Sequence, residues 1–488
     1  MSSNKLNLFS FSGNIRILHL TWFAFFLSFM VWFAHAPLMV AIRDSMHLTD
    51  QEVKILLILN IALTIPARIV VGMLVDKLGP RQLFSSILVL GGLISIGFAL
   101  AQTYQQLALV RFLSGFVGAG FVVGIRMISE WFPARQTGIA QGIYGGWGNF
   151  GSAGAAILLP SVALYFGDEN GWRYAIGVTG IVAIIYGIIY YFSVSNTPKG
   201  STYFKPKKMG AIEVTSKGDL FLYIVLNAPM YLALSVLVWK LSAKMHWFDE
   251  TIAYAIYATL FALYVFQVLR IIHVNKTIFH KTVPKLRQYA FKQVAILAIA
   301  YSLTFGAELA VVSMLPLYYV DTFNLKPVLA GILAGIYPVI NLVARPAGGW
   351  LSDKIGRKIT LSMLSAGAAV SFYILSKVTS DWELWLVVAT TILAGIFSKA
   401  GSGAVYAMVP LIQRRLTGQF AGMVGAFGNV GGLAFLTVLS FVANNLFFMT
   451  IAATAVYVFI CVVFLLDEPK GQMVEVLDDG SIELIEVK

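Results

Sequence analysis

Runs of about 20 predominantly apolar residues recur along almost the whole of this 488-residue chain. Each run is long enough to cross the hydrocarbon core of a bilayer, where the backbone must satisfy its own hydrogen bonds by forming helices. The composition agrees, because 58% of the residues are hydrophobic and only 12% are charged, against about 25% charged residues in a typical soluble domain. The sequence therefore predicts an all-α polytopic membrane protein.

Hydropathy predicts fourteen transmembrane spans. They lie at residues 17–42, 54–75, 83–101, 107–128, 138–166, 172–194, 220–239, 251–271, 293–319, 328–351, 359–376, 384–411, 419–442 and 446–466. The first run is too long for the core of a signal peptide and is followed by no small-residue cleavage site, so we expect it to be retained. Cys461 is the only cysteine, which excludes an intrachain disulfide.

Lysine and arginine are concentrated in two segments between the predicted spans, 198–218 and 270–292. These residues are Lys199, Lys205, Lys207, Lys208, Lys217, Arg270, Lys276, Lys281, Lys285, Arg287 and Lys292. Cytoplasmic loops of membrane proteins carry such an excess, so we expect both segments and both termini to be cytoplasmic, in a multi-pass protein of the cell (inner) membrane. The net charge of +12 is then explained by these loops and gives no reason to expect nucleic-acid binding.

Two stretches of the chain occur twice. "RIVVGMLVDKLGPR" begins at Arg68 and "RPAGGWLSDKIGRK" begins 277 residues later, while "GIAQGIYGGWGNFG" begins at Gly138 and "GQFAGMVGAFGNVG" begins 280 residues later. Because two different helices repeat at nearly one offset, we infer that a unit of about six helices is duplicated. The pair of spans within 220–271 is then an inserted hairpin, and an even insertion keeps both halves in the same orientation, as parallel repeats require.

The duplicated motifs carry a resemblance to a known family. "GMLVDKLGPR" and "GWLSDKIGRK" resemble the loop signature of the major facilitator superfamily, and the stretches that end in Gly148-Asn149 and Gly428-Asn429 are similar to the nitrate signature of its nitrate/nitrite porters. The resemblance implies a major-facilitator fold of about 14 transmembrane helices, made of two six-helix bundles plus an inserted two-helix hairpin. We expect these units at 1–197 and 289–466 for the bundles, 198–288 for the linkers and hairpin, and 467–488 for an acidic cytoplasmic tail.

Two arginines are predicted to lie deep in the membrane. Arg68 and Arg345 are well inside their spans, where an arginine costs about 2.5–3.5 kcal/mol unless it faces a cavity or a partner. Glu308 is the only carboxylate expected at that depth, and Lys399 is a third cation that competes for it. An anion would neutralise the excess positive charge; the alternative is a structural ion pair. The planar donor fork of arginine matches a planar oxyanion such as nitrate or nitrite.

The resemblance also implies further residues around the anion. "YSLTFG" matches the family's substrate-site tyrosine and phenylalanine, which places Tyr301 and Phe305 beside the substrate, and Phe121 in "GAGFVVG" matches a further aromatic residue. Such rings would select for a flat anion. Asn149 and Asn429 would offer amide donors nearby.

The glycine-rich stretches and the two loop signatures are expected to serve the conformational change. Small residues allow membrane helices to approach closely, and we expect this of Gly142, Gly146, Gly148, Gly422 and Gly428, although ordinary small-residue packing is the alternative. The resemblance implies that Asp76 and Asp353 stabilise an outward-facing state.

These patterns together predict an alternating-access secondary transporter of nitrate and/or nitrite, driven by proton symport or by nitrate/nitrite exchange. Glu308 and Lys399 would provide the coupling. A transporter of another small organic anion and a non-transporting nitrate sensor remain alternatives. We do not expect an enzyme, a cofactor or a metal site, because the deep polar residues form no nucleophile–base or metal-ligand set. The expected partners are the anion, protons and the lipid bilayer, and the protein is expected to act as a monomer.

Overall fold

The computed structural model describes residues 7–167, 170–203, 210–280, 288–325, 327–439, 441–468, 472–476 and 482–486. Six of the basic residues on which the predicted orientation rests lie outside these ranges, namely Lys205, Lys207, Lys208, Lys281, Lys285 and Arg287.

Within the residues that the structure describes, the first half of the chain forms nine α-helices. They are α1 (Gly13–Phe33), α2 (Met39–Ser45), α3 (Asp50–Leu78), α4 (Pro80–Leu100), α5 (Tyr104–Ser114), α6 (Gly120–Trp131), α7 (Ala134–Asn149), α8 (Gly151–Phe166) and α9 (Gly171–Ser193). Helix α3 begins at a capping box in which Glu52 N donates to Thr49 Oγ1 and Thr49 N donates to Glu52 Oε2. It ends at Gly79, whose φ of +88° is a conformation that glycine adopts without strain.

The inserted hairpin and the second half follow. The hairpin consists of α10 (Lys217–Trp239), a π-helical turn (Lys240–Lys244) and α11 (Glu250–Asn275), and the second half of α12 (Phe291–Phe323), α13 (Pro327–Val339), α14 (Asn341–Ile355), α15 (Arg357–Leu375), α16 (Leu384–Ile412), α17 (Thr417–Leu439) and α18 (Asn444–Leu465). Helix α14 is followed by Gly356, which has a φ of +109°. The glycine turn at Gly79 therefore occurs again at the equivalent position of the second half.

The predicted all-α membrane architecture is confirmed, with local differences. The predicted span 107–128 is interrupted by a 3-10 turn (Val117–Ala119), and the predicted span 138–166 is interrupted at Phe150. Within the described residues, 13 helical segments are long and apolar enough to span a membrane, while the predicted span 328–351 is divided at Ile340 into α13 and α14, each too short alone. The single helix expected at 17–42 is wrong at its end, because α1 stops at Phe33 and Met39 begins a separate short helix. Pro37, which lacks a backbone donor, lies in the turn between them.

The helices of the two halves meet along two equivalent seams, α3 against α17 and α7 against α14. In the inserted hairpin, α10 packs on α11, α12 and α17, and an apolar cleft of about 770 Å³ separates this hairpin from α3 and α5.

The tail contains two short strands that the sequence did not predict. They are β1 (Gln472–Val476) and β2 (Ile482–Glu486), which pair antiparallel with Glu475 opposite Glu483.

Candidate anion site between the two halves

The predicted glycines line the seams between the halves. A Cβ at Gly422 would lie 2.5 Å from the Arg68 carbonyl oxygen, and a Cβ at Gly142 would lie 2.6 Å from the Arg345 carbonyl oxygen. A Cβ at Gly146 would lie even closer to the Asn341 carbonyl oxygen. Only glycine permits these approaches without displacement of the neighbouring backbone, so each seam brings an arginine-bearing helix against a glycine-bearing helix of the other half.

Gly148 and Gly428 meet aromatic rings instead. A Cβ at Gly428 would lie 2.7 Å from the Tyr301 ring and 2.8 Å from the Phe305 ring, and Gly148 faces the Phe25 ring at the equivalent place in the first half. Phe25 precedes Phe305 by the repeat offset of 280 residues. These two glycines therefore make room for the aromatic walls of the site.

Arg68 is held by neutral acceptors of both halves, and that of the first half is the Gly118 carbonyl, which accepts from Arg68 Nε at 3.4 Å. Its side chain is fully buried, and its Nη1 donates to the Gly425 carbonyl at 2.6 Å, across the α3–α17 seam. With its amide oriented to satisfy both polar atoms, Asn429 Oδ1 accepts from Arg68 Nη1 and Nε at 3.3 and 3.2 Å. Asn429, which was expected to offer an amide donor to the anion, lies beside Arg68 with its oxygen facing the guanidinium. Among the described residues no carboxylate pairs with Arg68.

Arg345 has a carboxylate partner. Its side chain is 2% exposed, and its Nη2 donates to Glu308 Oε2 at 3.2 Å. Asn341 Nδ2 donates to Glu308 Oε1 at 2.5 Å, and Lys399 Nζ lies 3.9 Å from the same oxygen and 3.4 Å from the centroid of the Tyr337 ring. The competition of Arg345 and Lys399 for Glu308, expected from the sequence, is present in the structure.

The two arginines therefore differ in charge compensation. The residue that precedes Glu308 by the repeat offset is Ser28, so the first half lacks the acidic group that pairs with Arg345. Among the described residues, Glu308 pairs with Arg345 and Lys399 and no carboxylate pairs with Arg68, which leaves an excess of positive charge in a buried site. Such charge is costly in a low-dielectric interior unless it is paired, and a small anion would compensate it.

Three aromatic rings predicted from the resemblance gather at the arginines. The Phe305 centroid lies 5.2 Å from Arg68 Cζ and 5.5 Å from Arg345 Cζ, so both guanidinium groups make cation–π contacts with one ring. Tyr301 stacks on Phe305 at 5.2 Å with an interplanar angle of 2°. Phe121, from the first half, is parallel to Tyr301 within 1°, with a centroid separation of 6.4 Å.

Two residues at the site escaped the sequence analysis. The Tyr406 ring is perpendicular to Phe121 and to Tyr301, at 4.6 and 4.8 Å, and joins the aromatic residues of both halves. No motif marks Tyr406 within its apolar span. The second residue is Asn341, which could have been found because it is a polar residue one turn before Arg345 in an otherwise apolar run.

Several buried donors at the site make no hydrogen bond within the described part of the chain. They are Arg345 Nε, Lys399 Nζ, Asn149 Nδ2 and Tyr301 Oη. A Cβ at Gly145, one turn before Asn149, would lie 3.3 Å from Arg345 Nη1. This part of α7 therefore lies beside Arg345 as the equivalent part of α17, which carries Asn429, lies beside Arg68. Buried polar groups are normally satisfied, and an oxyanion, which can only accept, matches this set of donors.

At one end of the bundle the two halves are closed against each other. We call it the linker face: the end that carries the turns at Gly79 and Gly356 and the described parts, 194–203 and 210–216, of the segment between α9 and α10. Asp76 accepts from the Gly418 and Gln419 amides at 3.0 Å each, and Asp353 accepts from the Gly138 and Ile139 amides at 3.2 and 2.9 Å. Each predicted conformational aspartate thus binds the other half near the N-terminal end of a helix, where a negative charge is stabilised.

Comparison with known proteins places the chain in a family. The sequence model of the Major Facilitator Superfamily matches residues 21–280 and 297–481. The chain is 44% identical over 484 residues to a protein named nitrate/nitrite transporter NrtP from Nostoc punctiforme, covering 98% of this chain and 97% of the relative. The protein of the same name from a Picosynechococcus species is 43% identical, with the same coverage. This chain belongs to the nitrate/nitrite porters of the major facilitator superfamily.

The solved structures agree at the level of the fold. The human organic anion transporter MFSD10 superposes on this porter with a TM-score of 0.65 and 9% identity, covering 92% of this chain and all of that one. The predicted family and fold are thus confirmed. The expectation that the protein is a transporter and not an enzyme agrees with the named relatives.

Proposed function

We propose that this porter carries nitrate and nitrite across the membrane by alternating access, with the anion bound between Arg68 and Arg345. The observation that carries the proposal is the pairing of two buried arginines, one from each half, against one Phe305 ring. The excess positive charge supports an anionic substrate, and the relatives named nitrate/nitrite transporter support its identity.

The donors around the arginines favour a small planar oxyanion. Nitrate and nitrite are singly charged and carry only acceptor atoms toward the protein, and Arg345 Nε, Tyr301 Oη and Asn149 Nδ2 are buried donors without partners in the described residues. The parallel rings of Phe121 and Tyr301 restrict the thickness of whatever binds beside them, which favours a flat anion over a tetrahedral one.

The halves at 1–197 and 289–466 would rock around this site as two bodies. We propose that the linker face is cytoplasmic, with both termini on that side of the cell (inner) membrane, so that the contacts of Asp76 and Asp353 stabilise an outward-facing or occluded state. The glycines of the two seams would let the helices shift while they remain close. The complete site lies within one chain, which is consistent with a functional monomer.

Coupling is proposed to involve Glu308 and Lys399. If substrate binding separates Glu308 from Arg345, the carboxylate becomes available to a proton, and the porter acts as a nitrate–proton symporter. If Glu308 keeps Arg345, Asn341 and Lys399 as permanent partners, it is structural and transport is an exchange of nitrate for nitrite. We propose symport, because acidic residues at membrane depth often serve as proton relays.

The test is uptake of labelled nitrate and nitrite by the purified porter in liposomes, with the pH gradient and the internal counter-anion varied separately. Proton symport predicts nitrate accumulation driven by an inward proton gradient in vesicles that contain no exchangeable anion. Uptake that requires internal nitrite or nitrate at every pH would contradict symport and support exchange. Failure of either anion to enter or to compete under any condition would contradict the proposed substrate.

A further inference from the structure

The segment between α9 and α10 is described at residues 194–203 and 210–216, and these two parts contact the two halves at the linker face. It begins beside the first half, where Trp131 Nε1 donates to the Ser195 carbonyl at 3.1 Å and Asn196 Oδ1 accepts from the Arg81 amide at 2.9 Å. It then places the Tyr203 side chain beside Arg126.

Arg126 is the centre of the polar contact between the halves. This fully buried residue pairs with Asp76 at 3.5 Å and with Glu130 at 3.0 Å, both within the first half. Its Nη1 also donates to the carbonyl of Arg414 in the second half, and Arg414 Nη2 donates back to the Glu130 carbonyl at 3.3 Å. The two bonds with Arg414 persist only while the halves are closed at this end.

Tyr203 fixes the guanidinium of Arg126 in the orientation that reaches Arg414. The Tyr203 hydroxyl accepts from Arg126 Nε at 3.3 Å and donates to the Val75 carbonyl at 2.6 Å. The Arg126 Cζ lies 4.9 Å from the centroid of the Tyr203 ring, a cation–π contact. With Nε and one face of the guanidinium occupied, Nη1 is directed to the other half.

Ten residues later the same segment is attached to the second half. Glu213 Oε2 accepts from Arg415 Nη2 at 2.9 Å, and Arg415 is the neighbour of the residue that Arg126 binds. The Glu213 carbonyl accepts from the Tyr289 hydroxyl at 2.8 Å, and Asn275 of α11 accepts from the Val214 amide at 2.8 Å. The linker and the inserted hairpin are thus connected to the Arg414–Arg415 turn.

We infer that the described parts of this linker, residues 194–203 and 210–216, form a latch on the linker-face gate, in which Tyr203 positions Arg126 and Glu213 holds the Arg414–Arg415 turn. The bonds of the latch add to those of the Asp76 contact and stabilise the state that is closed at this face. Opening the gate separates Arg126 from Arg414, so a change in either latch residue shifts the equilibrium toward the open state. This role would give the inserted unit a part in the conformational cycle.

Hydrogen–deuterium exchange of the purified full chain in nanodiscs, without substrate, tests the latch. The amides of Gly418 and Gln419 are protected by Asp76 across the closed gate, so exchange in residues 414–420 reports opening. Tyr203→Phe removes the hydroxyl but keeps the ring, and Glu213→Gln removes the ion pair. Loss of one such bond is expected to raise the exchange rate there about two- to tenfold, and the double variant more than either alone.

Matched controls come from the same end of the protein. Tyr191→Phe alters a tyrosine whose ring also faces an arginine, 4.3 Å from Arg81 Cζ, but this contact lies within one half. Asp467→Asn removes an exposed ion pair with Lys292 that does not join the halves. Both controls, and exchange within α9 in every variant, should remain unchanged.

Unchanged exchange at 414–420 in both latch variants would overturn the inference, as would an equal rise in the controls. A thermal-unfolding measurement on each variant identifies general destabilisation, which would raise exchange in α9 as well. The exchange assay contains no nitrate, so its result does not depend on whether nitrate is the substrate.

Discussion

Replacing either clamp arginine with lysine keeps the charge and removes the planar fork, so the two substitutions test the anion site directly. Arg68 is the more informative position because neutral acceptors hold it, the Gly425 carbonyl at 2.6 Å and the Asn429 amide oxygen. A lysine there has a compact ammonium group that cannot bind Gly425 and an anion with the same two-pronged geometry.

The expected magnitude follows from one lost charge-assisted hydrogen bond to the anion. Such a bond contributes about 1.5–3 kcal/mol, and each 1.4 kcal/mol corresponds to a tenfold change in affinity. Arg68→Lys should therefore weaken nitrate binding by about ten- to 150-fold. Arg345→Lys should lose a similar amount and also disturb the Glu308 pairing at 3.2 Å. Because the lysine keeps a charge near Glu308, the loss of stability should stay below the roughly 3–5 kcal/mol that complete removal of a buried partner costs.

Binding to purified variants by calorimetry and uptake in liposomes measure the two effects, and thermal unfolding separates affinity from stability. Arg111→Lys in parallel controls for loss of a buried donor fork outside the site, because Arg111 donates to the Leu56 and Trp32 carbonyls. A nitrate affinity within twofold of the unmodified porter in both Arg68→Lys and Arg345→Lys would refute the clamp.

Three further predictions follow from the same geometry. Gly146→Leu or Gly422→Leu should abolish uptake in liposomes with less effect on expression, because a Cβ at Gly422 would already lie 2.5 Å from the Arg68 carbonyl; normal uptake would disprove the close-approach role. A cysteine next to His246, in the turn between α10 and α11, should react with an impermeant thiol reagent from outside the cell, and labelling only from the cytoplasm would contradict the hairpin topology. Glu308→Gln should lose nitrate uptake driven by a pH gradient while counter-anion exchange survives; pH-driven accumulation in this variant would mean that another group carries the proton.

Much of the architecture could be predicted because the bilayer allows few solutions. An apolar run of sufficient length must become a helix, so the spans and their order follow from hydropathy. The duplicated motifs made Arg68 and Arg345 equivalent positions, and the cost of a charge at depth predicted that they face a polar site. Glu308 and Lys399 were recognised for the same reason, since ionisable residues are rare in apolar spans.

The tertiary structure alone decided which of these residues meet. Arg345, rather than Lys399, makes the closer contact with Glu308, because the packing of three helices sets those distances. Tyr406 and Tyr203 are ordinary tyrosines in the sequence and became part of the site and of the proposed latch only through packing. Arg68 and Gly425 are 357 residues apart in the chain. The length and hydropathy of each apolar run specify that a helix forms, but the partner that a side chain finds across a seam depends on how closely two backbones approach.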